Sequence, residues 1–379
     1  MDLYWIWLST IKGIGPVTQR KLLSVFGTPE RIYLADREEL IERTGLRISF
    51  IDRIMEARSL ERAKKILDSL NRHHIRLLNI DNERYPAEVH SLSTMPVLLY
   101  YRGNIKENSM GVAVIGSRRC TKYGKQVTLD AATFLAEQGI PVISGMAKGI
   151  DGYAHTACLK AGGYTIAFLA NGLDLCYPPE HRILMDQIIE KGAVISPYPP
   201  KTRPLKANFY KRNALMSAWS RKVLVVEAGA KSGALITAKF AGEQKRTVLA
   251  VPNSIYSPES IGANKLISRG AEIFLSPNQL LPAGFDKEKP ATLDKTEKKA
   301  VMQAKPSERQ AAVEQLSPLE KKIMERLNAA RDIEELVDIF NGDMAALLDI
   351  LCTMELEGKI EISHGRTISG VTHRDGSLY

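Results

Sequence analysis

Residues 112–169 read VAVIGSRRCTKYGKQVTLDAATFLAEQGIPVISGMAKGIDGYAHTACLKAGGYTIAFL. Three short runs, 112–115, 142–144 and 165–169, are almost wholly apolar, and helically spaced residues such as 126–137 lie between them. Short apolar runs without alternation are strands buried on both faces, which is the signature of a parallel sheet covered by helices. Runs of the same kind continue outward at 97–101, 193–195, 223–226 and 248–251, with a further helical stretch at 232–244. The pattern over 76–281 therefore predicts an α/β domain: a Rossmann-like, doubly wound, mostly parallel sheet. Its ligands should lie at the C-terminal ends of the strands.

The flanks differ from this centre. Residues 1–75 predict a small all-helical domain. Within it, IKGIGPVTQRKLLSVF (11–26) places a Gly-x-Gly turn before a helical period, with Pro16 where a first-turn proline is tolerated. Thr44, Gly45 and Leu46 offer a weaker second copy, so the segment reads as a helix-hairpin-helix (SAM-like) module. Such a turn can present amides to a phosphate or simply pack helices. Residues 282–312 are poor in large apolar side chains and read as a flexible linker. Residues 313–379 predict helices at 318–328, 333–340 and 343–357 and a strand pair at 359–368, which is the pattern of a winged helix.

Of the 379 residues, 44% are hydrophobic and 25% charged, with a formal net charge of +9. The charge is uneven. Residues 76–281 carry 25 basic against 15 acidic side chains, and residues 313–379 carry 7 against 13. A cationic centre suggests a polyanionic partner, while the anionic tail should repel one; helix 343–357 has no Lys or Arg at all. No stretch approaches the ~20 apolar residues of a membrane span. The N-terminus lacks a basic segment and a cleavage site, and the four cysteines form no CxxC pair. These features predict a cytoplasmic protein without a membrane anchor, a structural zinc site or a disulfide framework.

Glycine-rich turns close several of the predicted strands. The first is Gly116-Ser117-Arg118 before a helix near residue 123, where amides and a helix N-terminus can meet an anion. The second, Ser144-Gly145-Met146-Ala147-Lys148-Gly149, brackets a lysine with two glycines. Asp151 follows as an expected helix N-cap, and His155 as a packing or surface histidine. The third is Asn171-Gly172-Leu173-Asp174, followed by Tyr177-Pro178. The fourth is Glu227-Ala228-Gly229, leading to Ser232 and Gly233. Neither GxGxxG nor GxxxxGK[ST] occurs, which argues against a dinucleotide or Walker-type nucleotide cofactor; none is expected. A row of anion sites suits a strand of phosphates better than a single nucleotide.

KTRPLKANFYKRNALMSAWSRK (201–222) is the most informative stretch. It holds seven basic residues and no acidic one, with Phe209, Tyr210 and Trp219 interleaved. Basic groups neutralise phosphates and aromatic faces stack on unpaired bases, the two requirements of single-strand binding. The alternative is a solvated basic face with its aromatics turned into the core. That alternative is favoured for Trp219.

With these residues in hand, the chain resembles the bacterial DNA-processing protein A family (DprA, also called Smf). The resemblance runs in order through GSR (116–118), SGMAKGIDGYAH (144–155), NGLDLCYP (171–178), SPYPPKTRPLKANFYKRN (196–213), EAGAKSGALITA (227–238) and AVPNSI (250–255). It implies a single-stranded-DNA-binding protein that is not an enzyme, protects incoming DNA during natural transformation, dimerises through the Rossmann-like domain and loads RecA recombinase. It also implies Arg118, Lys148, Lys206, Phe209, Arg212 and Asn213 as the DNA-contacting set, beside the turn residues Gly116, Ser117, Gly145, Gly149, Ser232 and Gly233. Two positions depart from the family pattern: Ala214-Leu215-Met216 after Asn213, and Asn253 where a glycine is usual. A competing reading is a Rossmann-like phosphoribohydrolase acting on nucleoside monophosphates through Glu227, although the double-glycine loop and second carboxylate such hydrolysis needs are missing. A duplex-binding regulator acting through the winged helix is disfavoured by the charge of the tail.

Overall fold

A computed structural model of the chain describes residues 1–107, 109–281, 318–327, 331–332, 335–336, 347, 350–351, 354, 360–363 and 367–370. The chain divides into two compact units, Met1–Leu280 and Leu281–Tyr379.

The first unit opens with six helices, α1 (Asp2–Thr10), α2 (Pro16–Phe26), α3 (Pro29–Leu34), α4 (Arg37–Thr44), α5 (Ile48–Glu56) and α6 (Glu61–Arg72). Their ends follow from local chemistry. Pro16 opens α2, and Gly27, at φ 78°, closes it through an N–H bond to the Leu23 carbonyl. Thr28 and Asp36 cap α3 and α4 by accepting from the Arg31 and Glu39 amides, and Gly45 ends α4 in the left-handed conformation.

There follow β1 (Arg76–Asn79), α7 (Ala87–His90), β2 (Leu98–Gly103), β3 (Gly111–Ile115), α8 (Lys122–Glu137), β4 (Val142–Ser144), α9 (Ile150–Lys160) and β5 (Thr165–Phe168). The unit continues with α10 (Arg182–Lys191), β6 (Ala193–Ser196), α11 (Lys206–Ala218), β7 (Ser220–Val225), α12 (Ala234–Glu243), β8 (Thr247–Ala250), α13 (Ile261–Ile267) and β9 (Glu272–Ile273). These strands form one sheet in the order β1-β2-β6-β5-β4-β3-β7-β8-β9. The seven from β6 to β9 are parallel, and β1 and β2 join antiparallel at one edge. The sequence thus predicts a mostly parallel, doubly wound sheet, and the fold is one. Run 97–101 belongs to an antiparallel strand, however, and β1 and β9 carry no comparable apolar run: Glu272 and Ile273 are both exposed.

Side chains alternate between two cores. Tyr100, Ala167 and Val194 face one that also holds Trp5, Ile6, Leu22 and Ile54 of the N-terminal helices and Met185 of α10. Leu99, Ile166, Phe168 and Ile195 face the other, with Trp219 fully buried against Tyr85 and Phe168. The N-terminal helices and the sheet therefore share a core.

In the second unit, α14 (Pro318–Arg326) coincides with the first expected tail helix, and β11 (Ile360–Ser363) and β12 (Thr367–Gly370) pair antiparallel where a strand pair is expected. β10 (Arg331–Asp332) joins β12 as a third strand. The linker 282–312 lies outside the described residues, as do most of helices 333–340 and 343–357.

Candidate nucleic-acid interface

Because β5, β4, β3 and β7 are neighbours, the four glycine turns stand side by side along the C-terminal edge of the sheet. The turns after β3 and β4 interlock. The Ile150 amide donates to the Ser117 carbonyl at 3.2 Å. Gly149 has φ 73°, and a Cβ there would strike the carbonyls of Ser117 and Arg118. Ser117 braces its own turn by accepting from the Arg119 amide at 3.1 Å. A Cβ on Gly116 would meet Ile150, and one on Gly145 would run into the Arg212 guanidinium.

The winding reverses between β3 and β7, the place where open α/β sheets hold their ligands. Two protein groups meet across it here. The fully buried Glu227 carboxylate accepts from the Thr121 amide at 2.9 Å and from its hydroxyl at 2.5 Å, and lies against Gly124 in the first turn of α8. Thr121 also caps α8 by accepting from the Gly124 amide. This tie joins residues 106 apart, so no local pattern could reveal it.

Arg212 and Asn213 turn inward. Arg212, 4% exposed, donates through Nη1 to the carbonyls of Gly145 at 2.5 Å and Phe168 at 2.7 Å, and through Nε to Asn213 Oδ1 at 3.0 Å. Asn213 Nδ2 reaches the Gly233 carbonyl at 3.3 Å. Burial lowers the Arg212 pKa to about 10 against the pull of Asp151, so the guanidinium stays charged near neutrality. Burial likewise raises the Asp151 carboxyl, opposed by Arg212 and by amides of its own loop. Arg212 and Asn213, both expected to contact DNA, have polar groups that brace the ends of β4, β5 and the turn before α12. The expectation for Asp151 is corrected. It lies inside the first turn of α9, and its Oδ2 accepts from Gly145 and Ala147, closing the preceding loop.

Arg118, Lys148 and Lys206 are exposed, as are Lys201, Arg203 and Lys211. Phe209 is half-buried in the first turn of α11, with the guanidinium carbons of Arg118 and Arg212 at 5.7 and 5.5 Å from its ring centroid. Tyr177 meets the same ring edge-on, centroids 5.8 Å apart. Lys148 pairs with Glu180; burial opposes the charge on that carboxyl, but the lysine outweighs it and holds the pKa below the usual range. Ser232 accepts from the Ala234 amide at 3.3 Å, and Gly233 is exposed, with open space where a Cβ would stand. Tyr210 leans on Phe240, and Trp219 is core, as expected. His155 is buried, its Nδ1 2.7 Å from Thr165 Oγ1. Among the described residues no cluster of His, Cys, Asp and Glu could hold a metal ion.

The family model for DNA recombination-mediator protein A matches residues 76–283. The chain belongs to this family. A second model, a SAM-like helix-hairpin-helix tandem, matches residues 8–58 and covers both hairpin copies read from the sequence. Protein Smf of Synechocystis is 38% identical over 283 residues, covering 73% of this chain and 71% of that protein. DNA processing protein DprA of Streptococcus pneumoniae is 39% identical over 204 residues, 54% of this chain and 72% of that one. Its X-ray structure superposes with a TM-score of 0.64 at 32% identity, over 76% of this chain and 99% of that chain. DNA processing protein A of Helicobacter pylori, whose structure was solved for its single-stranded DNA binding mode, superposes at 0.50 with 30% identity, over 55% of this chain and 94% of the other. No described helix is long and apolar enough to cross a membrane.

Proposed function

We propose that this protein binds single-stranded DNA along the C-terminal edge of its central sheet. Arg118, Lys148 and Lys206 neutralise phosphates, Phe209 stacks on a base, and the exposed backbone near Ser232 and Gly233 lets the strand approach closely. The observation that carries this reading is the row itself: exposed cations and one half-buried ring at the C-terminal edge of the sheet, beside a switch point where Glu227 is bonded to Thr121. The single-strand binding of the Helicobacter relative supports it. So does the commitment of both Glu227 oxygens to Thr121, which leaves that carboxylate poorly placed for hydrolysis of a nucleoside monophosphate. Within this reading the protein acts by binding, without a nucleotide cofactor. It protects incoming DNA during transformation, dimerises through the sheet domain and helps load RecA recombinase. In this reading helical residues 1–75 support the DNA-binding region 76–281 through a shared core, followed by linker 282–312 and an anionic winged helix 313–379 that serves a protein contact. Titration of labelled single-stranded and duplex oligonucleotides, with nucleoside monophosphates incubated in parallel, tests the core of this. Tighter binding of the single strand and no base release are expected. Preference for duplex, or release of free base, would overturn it.

A further inference from the structure

We infer that Glu180 is a brake on the DNA-binding edge: it cancels the charge of Lys148 in an ion pair that an arriving phosphate must open or share. The inference rests on the single-strand reading above.

The two partners are unequal. The Lys148 side chain is 59% exposed and that of Glu180 16%. Glu180 belongs to a short 3-10 turn, Pro179–His181, that leads straight into α10. Its neighbour His181 is buried and donates through Nδ1 to the Met146 carbonyl at 3.0 Å. The His181 ring lies so close to α9 that a Cβ on Gly152 would come within 3.0 Å of it. This one turn therefore meets the loop after β4 twice, at a backbone carbonyl through His181 and at the lysine through Glu180. The carboxylate is anchored, and the lysine at the loop tip is the partner that can move.

The pairing sets Lys148 apart from the other two cations assigned to phosphates. Among the described residues neither Arg118 nor Lys206 stands in an ion pair. Burial opposes the charge on Glu180, but Lys148 keeps the carboxyl ionised, and a partly buried pair is screened by salt less than an open one. The pair adds no net charge to the edge, and the carboxylate repels the phosphate that the lysine attracts. A strand already held by Arg118 and Lys206 can still share the ammonium, whose three donors need not all serve Glu180. Affinity is thus set below what the cations alone would give, which favours release of the strand.

The test is the salt dependence of oligo-dT affinity for the full-length protein as wild type, Glu180→Gln, Lys148→Ala and the double variant, each with a thermal melt. Glu180→Gln should bind about two- to fivefold more tightly at low salt, with a log–log slope steeper by roughly 0.7. Lys148→Ala should bind more weakly, with a slope flatter by about the same amount, because the carboxylate then stands alone. The double variant should return to the wild-type slope, which a Glu180 that only shaped the turn would not bring about. Glu180→Asp, which retains the charge, should keep the wild-type slope. Glu180→Ala, a second neutral variant, should match the glutamine variant and guards against a fault peculiar to one substitution. Unchanged or weaker binding by neutral variants that melt like wild type, or a double variant with the slope of Lys148→Ala alone, would overturn the brake while leaving the edge assignment intact. A wild-type protein that does not bind oligo-dT would instead overturn the broader reading.

Discussion

Replacing Arg212 by alanine would strip the Gly145 and Phe168 carbonyls of their donor and remove a charge that favours ionisation of the buried Asp151 carboxyl. Leaving buried carbonyls without a donor costs about 1–3 kcal/mol each, whereas Lys206→Ala, on an exposed side chain, should fall within about 0.5 kcal/mol of wild type. Urea unfolding of the two variants checks the contrast. The sequence shows a basic aromatic strip but not which charges face inward. Arg212 follows Phe209 by three residues and precedes Met216 by four, which puts it on the packed face of α11; charge counted along the chain conceals this. His155 makes a second residue-scale case. Burial, reinforced by the nearby charges of His181 and Arg212, lowers its pKa to about 3. Its folded pKa lies below its unfolded one, so the unfolded chain binds the extra proton, and stability falls as pH drops below about 6.5 towards 3. Between pH 7 and 5 this group should remove about 2 kcal/mol. The stability difference between those two pH values should shrink by that amount in His155→Leu, whatever its absolute stability.

At the scale of elements, the glycine turns that read alike in the sequence divide into two kinds. Gly116, Gly145 and Gly149 sit where neighbouring protein atoms leave no room for a Cβ, while Gly233 faces open space. Gly149→Ala forces a side chain into a φ of 73° and against two carbonyls, and should cost at least about 1–3 kcal/mol. Gly233, at φ −62°, should accept alanine with a stability change within about 0.5 kcal/mol. If Gly233→Ala melts normally yet weakens oligonucleotide binding, close backbone approach at this turn is the cause; unchanged affinity would remove Gly233 from the interface. The departures from the family pattern also resolve at this scale. Ala214, Leu215 and Met216 are buried, and Asn253 exchanges two hydrogen bonds with Asn264, which fixes its turn without glycine. The strands of the parallel block were legible because burial on both faces leaves near-continuous apolar runs. β1 and β9, short and partly exposed, leave no such trace.

Across the whole molecule, the winding order explains how segments far apart in sequence become one surface. β3 to β6 spread to one side of the switch point and β7 to β9 to the other, so turns separated by more than a hundred residues line up along a single edge. The sequence disclosed the repeated strand-turn-helix rhythm and hence the row. It could not disclose that Glu227 meets Thr121 across the β3–β7 switch point. In the proposed function, the exposed cations on the edge hold the polyanion. Each one that neutralises a phosphate releases counterions and adds roughly 0.7 to the steepness of the log–log salt dependence for a single strand. The decisive measurement is therefore oligo-dT affinity across a salt series for wild type and for Arg118→Ala/Lys148→Ala/Lys206→Ala, with thermal melts alongside. The triple variant should melt like wild type, bind more weakly at low salt and show a slope flatter by about 2. A variant that folds normally and keeps both wild-type affinity and wild-type slope would contradict the assignment of this edge as the DNA-binding surface.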